Sequence, residues 1–348
     1  MTKKITIAID AMGGEGSPDK VIHAVNYFLK KNNSENDFLL NLFGDEKQIV
    51  KKLEKYKLSS NKIKITHTNS IISDEETPLA AIKNSKDTSM WHCINSQNNG
   101  EADISLSAGN TGVLLVLSRM ILKMIDGLSK PALAGLWPNQ NGMNVVLDLG
   151  ANIECTDQNL IDFAELGSAL YKSLYVNEKP KVALLNIGSE EIKGTEILKN
   201  AFKRLKDLSD DKNFIFKGYI EGNNIMSGDS NVIVTDGFTG NIALKTAEGT
   251  AKFITDNLKK SLTENILSKI SLIFSYLSLK KFKEKLDPRK YNGAIFLGLN
   301  GPVVKSHGGT DALGFYYSID LCYKIVKGDL IKQIKNNLSH LNSDKNKS

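Results

Sequence analysis

The sequence predicts an α/β fold, a mainly parallel, doubly wound sheet with helices on both faces. Three observations lead to this prediction. Short runs rich in Val and Ile recur along the 348 residues, a glycine-rich loop follows most of them, and a segment with helical periodicity follows the loop. Strands that alternate with helices form parallel sheets, which bind ligands at the carboxyl ends of their strands. All the glycine-rich loops are therefore expected at one edge of the sheet.

The elements follow in chain order from the spacing of apolar residues. Strands are predicted where short apolar runs lie between turn residues, at 5–9, 38–43, 63–66, 103–106, 133–137, 145–147, 182–186, 214–220, 232–234 and 294–299. Helices are predicted where the spacing is three or four, at 17–31, 46–56, 87–98, 113–125, 157–175, 197–208 and 257–290, and from 312 onward.

Residues 1–338 are predicted to form a single α/β catalytic domain, because no linker and no internal repeat interrupts the pattern. Residues 252–290 hold ten Lys or Arg against four acidic residues. Residues 257–290 contain no strand, which predicts a basic amphipathic helical protrusion there within this domain. Residues 339–348 are expected to be a disordered polar tail.

Composition excludes several classes of protein. Apolar residues make up 41% of the chain, yet no apolar run approaches the roughly 20 residues that span a bilayer, and no secretion signal is recognisable. A cytoplasmic location is therefore expected. The three cysteines form no C-x-x-C pair and the five histidines have no metal-binding spacing, so neither disulfides nor a metal are expected. Nucleic acid is not expected as a partner, because the basic residues cluster in two segments and only 7% of residues are aromatic.

Six glycine-rich loops carry the polar residues that suit chemistry: DAMGGEG, SAGNTG, LDLGAN, NIGSEEIKG, TDGFTGN and KSHGGTD. Any one of them alone is most simply a strand-to-helix turn. Together they bring amides, lysines and backbone N–H groups to the predicted ligand edge. The chain lacks G-x-G-x-x-G, a P-loop and G-x-S-x-G, which argues against nucleotide binding and a serine nucleophile elbow.

The stretch 231–246 resembles an oxyanion or phosphate cradle. A buried strand ends at Asp236 and a helix begins almost at once, with Thr239 or Asn241 as the expected cap. The unpaired N–H groups of a first helical turn suit an anion, as does Lys245 one turn further on. Lys193 is either a phosphate ligand or a solvated lysine, and His307 is either catalytic or structural.

The motifs DAMGG, SAGNTG, KPALA, LDLGAN, LLNIG with KG, DGFTGN, and GLNG with KSHG occur in the order found in one family. Jointly they resemble the bacterial fatty acyl-ACP:phosphate acyltransferases, the PlsX family, over about residues 4–325. Glu15 and Ser17 depart from the usual Asp and Ala of that family. The resemblance implies a fold like that of isocitrate dehydrogenase and phosphotransacetylase, a homodimer, and no cofactor. It also implies formation of acyl phosphate from inorganic phosphate and an acyl carrier protein thioester, for phospholipid synthesis.

This chemistry needs positioning and oxyanion stabilisation more than a strong base. The expected catalytic residues are Lys193, Asn241, Asn110 and His307. The expected phosphate- or substrate-binding residues are Asp10, Gly13, Gly14, Ser107, Gly109, Thr111, Gly112, Asn152, Asp236, Gly237, Thr239, Gly240 and Lys305.

The apolar stripe of the basic protrusion predicts peripheral attachment to a membrane. Ile270, Ile273, Phe274 and Leu277 are the expected contacts, among lysines that suit anionic lipid. The alternatives are that this stripe packs in the core, contacts the dimer partner or binds the acidic acyl carrier protein. The resemblance also implies a membrane-embedded glycerol-3-phosphate acyltransferase as the next enzyme. A non-catalytic carrier-protein or lipid sensor, or a decarboxylating dehydrogenase, is the alternative function.

Overall fold

The computed structural model describes residues 4–32, 37–73, 75–209, 213–285 and 287–345, with backbone only for 209, 266–273, 285 and 340–345. Its strands are β1 (Ile5–Asp10), β2 (Phe38–Gly44), β3 (Ile63–His67), β4 (Ile104–Ser107), β5 (Ala132–Pro138), β6 (Met143–Leu147), β7 (Lys181–Leu185), β8 (Ile215–Ile220), β9 (Val232–Val234), β10 (Ala294–Leu297) and β11 (Val303–Lys305). Its helices are α1 (Asp19–Lys31), α2 (Glu46–Lys55), α3 (Pro78–Asn84), α4 (Ser89–Asn98), α5 (Thr111–Leu122), α6 (Asp157–Leu174), α7 (Glu196–Ser209), α8 (Gly237–Thr263), α9 (Ile266–Lys285), α10 (Ala312–Lys327) and α11 (Leu330–Lys345).

One mixed sheet holds all of these strands, in the order β3-β2-β1-β4-β11-β10-β5-β6-β9-β7-β8. Among the described strands, seven neighbouring pairs are parallel and three are antiparallel. The expected mainly parallel α/β sheet is therefore confirmed.

The direction of the strands reverses in the middle of the sheet. Strand β10 is antiparallel to β11 and to β5, and β5 is antiparallel to β6. Strands β6, β9, β7 and β8 consequently run opposite to β3, β2, β1, β4 and β11. The prediction that all the glycine-rich loops leave one edge of the sheet is wrong, because a sequence pattern fixes where strands lie along the chain but not which way distant strands run.

Helices cover both faces of the sheet, and successive strand residues point to different clusters of the core. In β6, Val145 and Leu147 join the large cluster formed with α6, whereas Val146 joins a smaller cluster that includes residues of α8. Strand β9 repeats this division, with Val232 and Val234 on one side and Ile233 on the other. The period of two of an extended chain thus gives this sheet two apolar faces.

The sequence pattern does not predict one strand and two helices of the structure. Strand β11 has only three residues between Pro302 and a glycine-rich loop, too few for an apolar pattern. Helix α3 begins with Pro78 behind a Thr77 cap, and helix α11 follows α10 after a short break at Gly328 and Asp329. Because α11 extends to Lys345, the first residues of the tail predicted to be disordered are helical in the structure, and 346–348 lie outside the described residues.

The basic protrusion consists of the end of α8 together with α9. Helix α8 is 27 residues long, and its only buried residues are the glycines of its first turn. The side chains of Phe274 and Leu277 on α9 are 85% and 72% exposed, so they do not pack in the core of this chain. The expected membrane contacts Ile270 and Ile273 belong to the segment for which the structure describes only the backbone, so their side chains lie outside the described part of the chain.

Gly167 lets α6 pack closely on the strands that carry half of the glycine-rich loops. A Cβ atom at Gly167 would lie 2.6 Å from Val232 Cγ1 and 2.9 Å from Leu147 Cδ2. We expect Gly167→Ala to lower the free energy of unfolding by about 1 kcal/mol, because overpacking of about 1–3 kcal/mol exceeds the gain of about 1 kcal/mol in helix propensity. Urea unfolding measures this change.

The matched control is Gly249→Ala in α8, where a Cβ atom meets nothing within 4 Å. Only the gain in helix propensity operates there, so the control should be stabilised by up to about 1 kcal/mol. Equal stabilisation of both variants would contradict the close approach of α6 to the sheet.

Candidate active site

The first loop group consists of residues 10–14, 107–112 and 305–308. These segments follow β1, β4 and β11, which are neighbours and run parallel. Their carboxyl ends therefore meet at one edge of the sheet. The first loop group contains Asp10, Gly13, Gly14, Ser107, Gly109, Asn110, Thr111, Gly112, Lys305 and His307 of the predicted site.

A buried carboxylate organises the first loop group. Ser107 Oγ donates to Asp10 Oδ2 at 2.7 Å, and the N–H of Gly109 donates to Ser107 Oγ at 3.1 Å. The N–H of Met12 donates to the other oxygen, Asp10 Oδ1, at 3.2 Å. Burial raises the pKa of Asp10 above its ordinary value, against the opposing effect of these hydrogen bonds. Asp10 and Ser107 are both buried, so they shape the loops.

The glycines of DAMGG allow two loops to touch. A Cβ atom at Gly13 would lie 2.6 Å from Asp10 Oδ2 and 2.8 Å from the nitrogen of Gly109. Gly14 has a φ of +78°, and a Cβ atom there would lie 2.8 Å from the carbonyl oxygen of Ala108. Both glycines are thus required by close packing between DAMGG and SAGNTG.

Asn110 caps α5. Its Oδ1 accepts from the N–H of Val113 at 3.1 Å, and its Nδ2 donates to the carbonyl oxygen of Glu76 at 3.2 Å. These bonds fix the start of the helix and a preceding loop. The oxyanion role predicted for Asn110 therefore competes with a structural role.

His307 is exposed and held by its backbone, whereas Lys305 points back into the loop. The N–H of His307 donates to Asn292 Oδ1 at 3.0 Å, and the N–H of Gly309 donates to His307 Nδ1 at 3.2 Å. A neutral ring that accepts at Nδ1 carries its proton on Nε2. Lys305 Nζ donates to the carbonyl oxygens of Ser306 and Ala108 at 2.5 and 3.4 Å.

The second loop group consists of residues 148–152, 186–194 and 235–241. These segments follow β6, β7 and β9, three parallel strands with β9 in the middle. The second loop group contains Lys193, Asn152, Asp236, Gly237, Thr239, Gly240 and Asn241 of the predicted site.

The first turn of α8 is less open to an anion than its sequence predicts. Asp236 caps the helix, not Thr239 or Asn241, and its carboxylate accepts from the N–H and Oγ1 of Thr239, each at 2.8 Å. The N–H of Gly237 donates to the carbonyl oxygen of Asn152 at 2.8 Å, and that of Gly240 donates to the carbonyl oxygen of Asp236 at 2.9 Å. Within the described residues, Phe238 keeps the one N–H of this turn that no hydrogen bond engages.

The amide of Asn152 is engaged inside the loop. Its Nδ2 donates to the carbonyl oxygen of Pro131 at 2.6 Å and to Asp148 Oδ2 at 2.8 Å. An amide nitrogen has two protons, so both are used. Asn152 therefore holds the loop in place, and phosphate donors must come from other residues.

Lys193 and Asn241 retain donors for a ligand. Lys193 is 46% exposed and its Nζ lies 3.3 Å from Glu190 Oε1, an exposed ion pair of the kind that contributes little. Asn186 Nδ2 holds the Lys193 loop by donating to the carbonyl oxygen of Lys193 at 3.1 Å. Asn241 is exposed, and no hydrogen bond to its side chain is made by the part of the chain that the structure describes.

The structure brings the predicted residues together as two groups, not one. The two groups leave opposite edges of the hydrogen-bonded sheet. A sheet twists by about 20–25° per strand on average, so strands five steps apart, such as β4 and β9, are not aligned end to end. The reversal alone therefore does not place the groups at opposite ends of the molecule.

Sequence reasoning gave too little weight to two residues. Asn292 holds the KSHGG loop through Ser306 and His307, and nothing in its sequence context announces this contact. Asp148 is fully buried beneath the second loop group, and its place directly after a buried strand in LDLG already indicates a carboxylate that organises the neighbouring loop. Over the described ranges, no three His, Cys, Asp or Glu side chains are grouped as metal ligands, and no helix is long and apolar enough to cross a membrane.

Comparison with solved structures supports the fold. The EutD phosphotransacetylase from Staphylococcus aureus matches with a TM-score of 0.59 and 16% identity, over 94% of this chain and 95% of that one. A phosphotransacetylase from Streptococcus pyogenes matches with a TM-score of 0.58 and 17% identity, over 96% of this chain and 94% of that one. At these identities the likeness shows the fold alone, and it confirms the phosphotransacetylase-like architecture.

Comparison of sequences shows the family. A family model described as "Fatty acid synthesis protein" matches residues 5–333. The phosphate acyltransferase of Pelagibacter ubique is 55% identical over 338 residues, which cover 97% of this chain and 100% of the relative. That of Afipia carboxidovorans is 43% identical over 335 residues, 96% of this chain and 94% of the relative. The chain therefore belongs to this fatty acid synthesis family, the bacterial phosphate acyltransferases that its motifs resemble.

Proposed function

We propose that this chain transfers the acyl group of a fatty acyl-[acyl carrier protein] to inorganic phosphate, and that the acyl phosphate supplies phospholipid synthesis. Family membership supports the transfer to phosphate. The observation that carries the proposal is the second loop group. There Asn241, in the first turns of the 27-residue helix α8, and Lys193, in the loop after the neighbouring strand β7, retain donors.

The reaction exchanges one acyl bond for another. A phosphate oxygen attacks the thioester carbonyl carbon and forms the new C–O bond, and the C–S bond of the tetrahedral intermediate then breaks. The electron pair of that bond leaves on sulfur as a thiolate, which takes up a proton. Phosphate groups lose a second proton near neutral pH, with a pKa of about 6 in phosphoesters, and a thiol has a pKa of about 8.5. Attack and departure therefore need no strong base or acid.

Positioning and charge stabilisation remain for the protein to supply. In the proposal, Lys193 Nζ, Asn241 Nδ2 and the N–H of Phe238 hold phosphate, favoured by the positive end of the α8 dipole. The capping carboxylate of Asp236 already occupies one side of this helix end, so Lys193 is needed to offset its charge. One well-placed donor is worth roughly 3 kcal/mol in the transition state.

The surroundings of these donors suit an acyl substrate. Ile153, Ile187, Ile192, Phe238 and Ile242 are all exposed, and each lies in the second loop group or within one residue of it. Exposed apolar side chains grouped around polar ones mark binding surfaces in soluble proteins. This arrangement supports an oily substrate carrying a polar reacting group.

The first loop group supplies the remaining part of the proposal. In the proposal, the exposed ring of His307, whose Nδ1 accepts from the N–H of Gly309, donates a hydrogen bond from Nε2–H to the departing thiolate. The thiolate then takes its proton from water. Asn110 and the N–H groups of SAGNTG then stand near the thioester carbonyl. These roles require that the two loop groups face one cleft over the central strands.

A homodimer and a membrane are further parts of the proposal. Phe253 and Ile254 on α8 are exposed, which supports cover by a second copy of the chain. Phe274 and Leu277 on α9 are exposed beside lysines, which supports peripheral contact of a cytoplasmic protein with an anionic membrane. A membrane-embedded glycerol-3-phosphate acyltransferase then receives the acyl phosphate without its release into water.

Mass spectrometry of a reaction with acyl carrier protein thioester tests the activity. We expect acyl phosphate and free carrier thiol only when inorganic phosphate is present. Lys193→Ala and Asn241→Ala should each lower kcat/KM for phosphate at least about a hundredfold, because each removes a donor that holds phosphate both in the bound complex and in the transition state.

The matched control for Lys193→Ala is Lys199→Ala, since Lys199 forms a similar exposed ion pair with Glu196 at 3.0 Å outside the loop. It should retain normal turnover. Thioester binding without phosphate-dependent thiol release would support a carrier-protein sensor instead. Reduction of a nicotinamide coenzyme would support a decarboxylating dehydrogenase.

Flotation with vesicles that contain phosphatidylglycerol tests the membrane contact. We expect the Phe274→Asp, Leu277→Asp double variant to float at least about tenfold less than the wild type, because it places charge on the apolar surface that enters the lipid. Val176→Asp is the control, since Val176 is 77% exposed and lies outside the protrusion. Unchanged flotation of the double variant would refute the membrane contact and favour the carrier protein or the dimer partner.

A further inference from the structure

Asp148 lies fully buried where β6 ends, under the second loop group. Its Oδ1 accepts from the N–H groups of Leu133, Gly150 and Ala151 at 2.9, 3.2 and 3.0 Å. Its Oδ2 accepts from the N–H and the Nδ2 of Asn152, each at 2.8 Å. Five donors thus converge on one carboxylate and fill the acceptor sites of both its oxygens.

These contacts join three elements at one point. The bond from Leu133 reaches the start of β5, and the bonds from residues 150–152 hold the LDLGAN loop. The first turn of α8 packs directly on the same carboxylate, since a Cβ atom at Gly237 would lie 2.8 Å from Asp148 Oδ2. A Cβ atom at Gly240 would collide with the carbonyl oxygen of Asp148.

The loop held by Asp148 in turn contacts the proposed phosphate donors. Asn152 accepts the N–H of Gly237 at its carbonyl oxygen, which fixes the residue before Phe238. Gly150, at a φ of +127°, lies against the side chain of Asn241, and a Cβ atom there would lie 3.0 Å from Asn241 Nδ2. A shift of the loop therefore moves Asn241.

We propose that Asp148 is a positioning residue for phosphate, acting through the LDLGAN loop to set the place of Asn241. The inference rests on the proposed function, because it assumes that Asn241 contacts phosphate. Asp148 itself touches no substrate. Lys193 reaches the site from a separate loop after β7 and is not set by this carboxylate.

Asp148→Asn tests the inference. An amide places an NH2 group against either the three donors at Oδ1 or the two at Oδ2, so in both orientations the loop must move. We expect the KM for phosphate to rise at least about tenfold, because a displaced Asn241 loses a hydrogen bond to a charged group, which weakens binding about tenfold or more. The KM for the acyl thioester should stay within about twofold. A purely structural role predicts a lower kcat with both KM values unchanged, which would overturn the inference.

A double-mutant cycle with Asn241→Ala supplies a second readout. If Asp148 acts through Asn241, the double variant should lose no more than about twofold in kcat/KM for phosphate beyond Asn241→Ala alone. If instead the two substitutions lower kcat/KM for phosphate by factors that multiply in the double variant, the inference is overturned. If Asn241→Ala alone leaves the KM for phosphate unchanged, the phosphate site of the proposed function is wrong, whatever Asp148 does.

Two further variants keep the test decisive. Should Asp148→Asn fail to fold, Gly150→Ala displaces Asn241 while keeping the carboxylate, and the same rise in the KM for phosphate is expected; no rise would overturn the inference. Asp162→Asn is the matched control, because Asp162 is a buried carboxylate on α6 that accepts from Gln158 Nε2 at 2.7 Å, outside both loop groups. It should leave both KM values unchanged.

Discussion

The reversal of strand direction between β11 and β6 is the constraint on which the candidate site depends. Two sets of three parallel strands, β1-β4-β11 and β6-β9-β7, end at opposite edges of the sheet, with the antiparallel strands β10 and β5 between them. Each set brings three loops together. The reversal therefore divides the glycine-rich loops into two compact groups, and twist determines how those groups face each other.

Each loop group is built around a buried carboxylate at the end of a strand. Asp10 binds Ser107 and the backbone of DAMGG, and Asp148 binds the backbone of LDLGAN and the start of β5. Among the described residues, no basic side chain donates a hydrogen bond to either carboxylate. The free-energy cost of burying these two carboxylates is therefore offset by neutral N–H and O–H donors of the backbone and side chains. Because so many polar groups of the loops are engaged in this way, the donors left for a ligand are few, and Lys193 and Asn241 stand out among them.

The sequence predicts the local structure well and the assembly less well. Strand β9 and the start of α10 lie where the pattern of apolar and capping residues places them, since both depend on neighbouring residues. The relative direction of β4 and β9 depends on pairing between distant segments, which periodicity does not encode. Asn110 and Asn152 look like ligands in sequence because their motifs do not show the carbonyl groups of Glu76 and Pro131, to which their amides donate. Lys193 and Asn241 keep their predicted roles as proposals because no such partner engages them fully.

The position of a bound anion decides whether the second loop group is the phosphate site. Arsenate imitates phosphate and scatters X-rays anomalously, so an anomalous difference map of crystals grown with arsenate locates it. We expect one peak within hydrogen-bonding distance of Lys193 Nζ, Asn241 Nδ2 and the N–H of Phe238, and its loss in crystals of Lys193→Ala. A peak confined to the first loop group beside His307, or one that persists in Lys193→Ala, would contradict it.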